Sequence, residues 1–179
     1  MEANTTVSIQ WKRLQNYYEK KGLFDKVCQG TTKEKIAEFE SIFGVKLPQG
    51  FRESFLICDE LYVLNTNAKR GWFGEDELYS FGSKKYDWYN IFDVNRQIRS
   101  YANDIGWSKK WIEFYSYGTW YCAILDTETG KVYCYDNETG EYVLWTNTYE
   151  EWLKMAVDEV IQYGELRLET MEKLLGIEE

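Results

Sequence analysis

The segment from Ile36 to Leu56, I-A-E-F-E-S-I-F-G-V-K-L-P-Q-G-F-R-E-S-F-L, constrains the fold more than any other stretch of the chain. Ile36, Phe39, Ile42 and Phe43 recur at helical spacing and predict an apolar stripe on one helix face. Thr31 is placed to cap that helix, with Glu34 returning the bond from the third helical position. Gly44 supplies the stop. Pro48, the only proline in the chain, suits the first turn of a second helix, where no backbone N–H is lost, and Phe51, Phe55 and Leu56 continue the stripe. The expectation is two helices meeting at a tight corner, their aromatics turned toward a further layer.

That layer is legible downstream. Trp111-Ile112-Glu113-Phe114, Gly118, Trp120 to Asp126, Gly130 and Val132 to Tyr135 read as a strand meander. The meander contains an internal echo, D-T-E-T-G from Asp126 to Gly130 and D-N-E-T-G from Asp136 to Gly140. Each places a turn-forming Asp ahead of a Gly able to take positive φ, which predicts two successive hairpins joining three antiparallel strands. The spacing lacks the remaining ligands of a calcium loop. Around the meander, helices are expected from Ser8 to Lys21 with Trp11, Leu14 and Tyr18 inward, from Asp93 to Asp104 with Val94, Ile98 and Tyr101 inward, after a Thr148/Glu151 capping box, and over 165–175. Leu61 to Leu64 and Glu77 to Phe81 read as strands, separated by a loop carrying Lys69 and Arg70.

The helical corner, the W-I-x-F strand, the hairpin with Gly at its turn and a closing helix with Trp152-Leu153 resemble, in that order, the SUKH superfamily, which holds bacterial immunity proteins and fungal cell-wall-assembly regulators. The resemblance spans 31–153. It departs from the family pattern at Cys58-Asp59-Glu60, where Asn-Gly is usual, at Glu113, where proline is usual, and at Ile124-Leu125-Asp126, where acidic and apolar residues tend to alternate. It implies one α+β domain over 1–179, a mainly antiparallel sheet with helices packed mostly on one face, and the helices at 8–21 and 165–175 as additions. The implied activity is tight, non-catalytic binding of a cognate toxin, with a nuclease expected. A regulatory scaffold is the alternative reading. Phe39, Glu40, Leu47, Pro48, Phe55, Trp111, Gly118, Gly130 and Trp152 match the family pattern and are read as structural.

Composition narrows the chemistry. With 44% apolar and 18% aromatic residues in 179, there is ample material for a core. No histidine is present, which removes Ser-His and Cys-His nucleophile pairs and the mixed zinc sites. No glycine-rich phosphate loop occurs, so no cofactor or metal is expected. Cys28, Cys58, Cys122 and Cys134 lack metal-site spacing and are expected to be reduced core side chains, although Cys122 and Cys134 would face each other if the first hairpin turned about Glu128. Met1 to Thr6 has neither a basic start nor an apolar run, and the expected location is cytoplasmic, away from membranes.

The charge of −9 is unevenly distributed. Through Tyr135 the 18 basic and 18 acidic residues cancel, whereas from Asp136 onward 12 acidic residues face only Lys154, Arg167 and Lys173. That asymmetry favours a basic protein partner and disfavours nucleic acid. The candidate partner-binding residues are Trp72, Glu75, Asp76, Glu77, Trp88 and Tyr89, where aromatics crowd against acids, with Asp136, Glu138 and Glu141 as an acidic adjunct. Carboxylates beside aromatics would also serve a glycan-binding or glycan-cleaving site, the third reading. The oligomeric state is left open.

Overall fold

A computed structural model describes residues 5–23, 29–59, 64, 77–81, 90–103, 105–117 and 120–176. Among them are six helices, α1 (Thr6–Lys21), α2 (Lys33–Phe43), α3 (Gln49–Ile57), α4 (Ile91–Ser100), α5 (Tyr149–Tyr163) and α6 (Leu168–Leu175). The strands are β1 (Glu77–Leu78), β2 (Trp111–Tyr117), β3 (Tyr121–Asp126), β4 (Val132–Asp136) and β5 (Tyr142–Thr146). They form one antiparallel sheet in chain order, β1-β2-β3-β4-β5. The architecture is α+β, as the resemblance implies.

Cross-strand partners share a face, so the register sorts the side chains. Ile112, Tyr115, Ala123, Leu125, Val132, Cys134 and Val143 lie on one face, and Trp111, Glu113, Ser116, Cys122, Ile124, Tyr133, Tyr135, Tyr142 and Leu144 on the other. A bulge between Glu113 and Tyr115 interrupts strict alternation. It lets two consecutive aromatics reach the same helix: Trp152 of α5 meets Phe114 at 4.7 Å and Tyr115 at 5.7 Å between ring centroids. α5 and α6 pack on the sheet, and α1 and α3 pack against α5. α1 therefore shares the core, with Trp11 and Leu14 almost fully buried.

The helical corner is held by its own side chains. Gly44 ends α2 with φ 63°, and the Glu40 carboxylate accepts the Leu47 N–H at 2.8 Å, fixing the descent into α3. The cap of α2 is Thr32, whose hydroxyl accepts from Lys35 N–H, one residue later than the sequence suggests. Thr31 is instead buried and donates its N–H to the Phe55 carbonyl. Ile42 is largely exposed, so the buried stripe of α2 is Ile36, Phe39 and Phe43. α4 starts earlier than expected because Asn90 caps it, accepting from Phe92 and Asp93 N–H, and it stops at Ser100, leaving Tyr101 outside the helix and partly exposed. Leu64 lies in a turn and not in a strand, Leu61 to Val63 lie outside the described residues, and only Glu77 and Leu78 of the expected second strand are extended partners.

The two echoed turns are built alike. Asp126 Oδ1 accepts from Glu128 and Thr129 N–H, and Asp136 Oδ1 accepts from Glu138 and Thr139 N–H. Gly130 and Gly140 both have φ 76° and donate back to the same Asp carbonyl. Each loop closes with an Asp N–H donated to the residue after the glycine, Lys131 or Glu141, which centres the β3–β4 turn between Glu128 and Thr129. That half-step puts Cys122 opposite Tyr135 and Cys134 opposite Ala123, on opposite faces, and both thiols are free. Cys58 departs from the expectation of reduced cysteines and is disulfide-bonded.

Candidate interaction surface

One end of the sheet gathers the acidic residues that the described structure contains from the candidate set. Trp120, just ahead of β3, and Asn137 of the β4–β5 connection lie side by side there, joined by the Asn137 N–H donating to the Trp120 carbonyl at 2.8 Å. Trp120 is 57% exposed, the most exposed large hydrophobic side chain among the described residues. Glu138 and Glu141 beside it are exposed. Asp136 is buried, its carboxylate committed to the turn N–H groups. It positions Glu138 and leaves little of itself for a partner.

α6 brings a further carboxylate to this end. The phenol of Tyr121 is raised above its ordinary pKa first by burial and then by Glu172 and Asp136, with Glu138 contributing as well. A single tyrosine thus senses acids from a strand, a turn and a helix. Glu77 pairs with Ser116 near the same end of the sheet. Three strand spacings, about 14 Å, separate the backbone of Glu77 on β1 from β4. Among the described residues, no cation is paired with Glu138, Glu141 or Glu172.

Trp72, Glu75, Asp76, Trp88 and Tyr89 lie outside the described residues, and Glu77 is described only in its backbone. Trp120 was not among the sequence-predicted site residues. Its place in the chain, between Gly118 and a strand, carries the signal that could have found it, since a tryptophan in a hairpin connection has no sheet face to be buried on.

The open face of the sheet carries a second feature. Trp111 contacts Tyr142 at 4.8 Å and Tyr133 at 6.0 Å between centroids, and Trp107 covers Tyr135 at 5.2 Å. Toward β2 this face is closed over Glu113, Tyr79 and Cys122, all buried. Burial raises the Glu113 carboxyl to about 7, against hydrogen bonds from Tyr79 and Cys122 that favour its charged form. Burial also raises the thiols of Cys122 and Cys134, which makes them poor nucleophiles.

A carboxylate-tied helical corner, an antiparallel meander with matched turns and a closing Trp-Leu helix define an α+β domain of the kind the sequence resembles. Residues 30–155 match the model of the SMI1 / KNR4 family (SUKH-1), and the chain belongs to that family. No curated protein matches the chain. No helix among the described residues is long and apolar enough to cross a membrane.

Proposed function

We infer that this protein is a non-catalytic binding domain of the immunity type, which neutralises a basic cognate toxin, a nuclease by expectation, through tight contact. Membership of the family supports the binding role. The observation that carries the reading further is Trp120, more than half exposed at the end of the sheet that also holds Glu138, Glu141 and Glu172, which pair with no cation among the described residues. Exposed tryptophans are frequent interface anchors, and truncation of such an anchor costs about 2 kcal/mol or more of binding. The carboxylates would occupy the cationic surface on which a nuclease seats phosphate. Trp72, Glu75, Asp76, Glu77, Trp88 and Tyr89 remain proposed members of the same surface, and a cytoplasmic site of action follows from the same reading.

The test is capture of the tagged protein from its native cells at low and high salt, with bound proteins identified by mass spectrometry. One stoichiometric basic partner, lost with Trp120→Ala or with Glu138→Lys and Glu141→Lys together, is the expected result. Several unrelated cellular proteins would instead favour the regulatory-scaffold reading. Retention of a single partner by all these variants would remove the acidic end of the sheet from its interface.

A further inference from the structure

The two margins of the sheet are finished differently. At the β2 margin, β1 pairs with Ser116 and Tyr115, and beyond it the Asn95 side chain bonds both the N–H and the carbonyl of Glu113. At the other margin stands β5, and the hydrogen bond from Asp136 N–H to the Glu141 carbonyl, 2.9 Å, sets the phase of its ladder. Asp136 and Glu141 form a hydrogen-bonded pair, so Tyr135/Tyr142 do not, Cys134/Val143 do, and Tyr133/Leu144 do not. The N–H and carbonyl groups of Tyr142 and Leu144 therefore point away from β4, toward the margin. No hydrogen bond among the described residues uses them.

The side chains agree with the backbone. Tyr142 and Leu144 are 50% and 44% exposed and stand on the open face, continuous with the Trp111–Tyr133 cluster. The strand Tyr142-Val143-Leu144-Trp145-Thr146 contains no charge and no proline, the residues that ordinarily blunt a free edge. Carboxylates flank it on both sides. Exposed Glu138 and Glu141 precede Tyr142, and exposed Glu151 accepts the Asn147 N–H at 3.0 Å just beyond Thr146.

We propose that the edge of β5 receives an antiparallel strand from the partner, an extended, uncharged, β-branched segment with a lysine or arginine at each end. The proposal rests on the binding reading above and names the element that does the binding. Backbone pairing at Tyr142 and Leu144 supplies alignment, and the flanking carboxylates select the charge at the two ends. A second copy of this chain fits poorly, because antiparallel pairing about Leu144 would set the Glu138/Glu141 end of one copy beside the Glu151 end of the other.

The probe is a blocked peptide with a Thr-Val-Thr-Val-Thr centre and two lysines at each end, titrated into the full chain and followed by amide NMR and hydrogen exchange. Two controls accompany it: the same peptide N-methylated at alternate residues, which keeps charge and side chains but cannot donate, and a glutamate-flanked version. The expected result is saturable binding that slows exchange at Tyr142 and Leu144, weakened at least about tenfold by N-methylation, by the glutamate flanks and by Leu144→Pro. Proline at 144 removes an N–H that β4 does not use, so the sheet is retained. Should that variant fail to fold, Leu144→Lys places a charge on the same edge and is expected to weaken binding equally. Equal binding of the N-methylated peptide, or shifts confined to the Trp120 end with unchanged exchange at Tyr142 and Leu144, would overturn strand addition while leaving the acidic surface standing. No binding of the lysine peptide at millimolar concentration would overturn it too, and salt-sensitive capture of a partner would still test the wider reading separately. A dimer in sedimentation, dispersed by Leu144→Pro, would reassign the edge to a second copy.

Discussion

At the scale of single residues, Glu113 is a carboxyl buried without a cation among its described neighbours. Its carboxyl faces Tyr79, Cys122, Tyr101 and Tyr135, none of them a cation, and burial raises its pKa from 4.5 to about 7. A carboxyl raised in the folded state binds its proton more tightly there than in the unfolded chain, so its effect is to favour folding below the unfolded value and to lose that advantage as pH rises from 4.5 through 7. The span corresponds to roughly 3 kcal/mol. Glu113→Gln is expected to flatten this part of the stability–pH profile and to raise stability above pH 7, measured by urea denaturation across the range. Gly30 sets a different kind of limit. A Cβ there would collide with the Leu56 carbonyl, which belongs to backbone and cannot swing aside. Gly30→Ala is therefore expected to cost about 1–3 kcal/mol by the same assay.

At the scale of elements, Asn95 joins α4 to β2. Its amide donates to the Glu113 carbonyl at 2.9 Å and accepts the Glu113 N–H at 3.0 Å, completing the ladder where the bulge begins. Asn95→Leu keeps the volume and strands two buried backbone groups, at an expected cost of about 2–5 kcal/mol, whereas the exposed Trp120→Ala is expected to leave the denaturation midpoint nearly unchanged. The elements most legible from sequence were those specified by local chemistry. Helical spacing in α1 and α5, the Thr148 cap and the Asp–Gly turns all depend on residues within a few positions of one another, and each is found as read. What escaped reading depends on distant partners. The bulge at Phe114 follows from the demands of Trp152, and Glu113, a charged residue in a strand, would ordinarily be assigned to solvent. The condition under which Cys122 and Cys134 would face each other is not met, because the loop closes at Lys131 and so shifts every partner by one, and both stay free, buried side chains as expected. Of the candidate site, the acidic adjunct is placed together at one end of the sheet, while Trp120 was read only as part of a strand.

At the scale of the whole molecule, α6 and the β4–β5 turn bring part of the acidic excess of the last 44 residues, Glu138, Glu141 and Glu172, to the same end as Trp120. Association with a basic partner should therefore slow steeply as salt rises, since attraction between exposed charges is screened over ~8 Å at physiological ionic strength. Stopped-flow rates from low to high salt check this, and a rate indifferent to salt would remove the acidic end as the steering element. A final consequence comes from three side chains far from that surface. Trp11 donates to the Ser54 hydroxyl at 2.8 Å, and Ser54 and Tyr149 share a hydrogen bond of 2.8 Å, so α1, α3 and α5 meet at one buried oxygen. Trp11 lies before the first residue of the family match and Met171, fully buried, lies after the last. A fragment trimmed to the shared motif would open a tryptophan-sized hole at one end and uncover the sheet at the other. The portion that identifies the protein is thus smaller than the portion that can stand up without help, and anyone producing it for study should cut outside both.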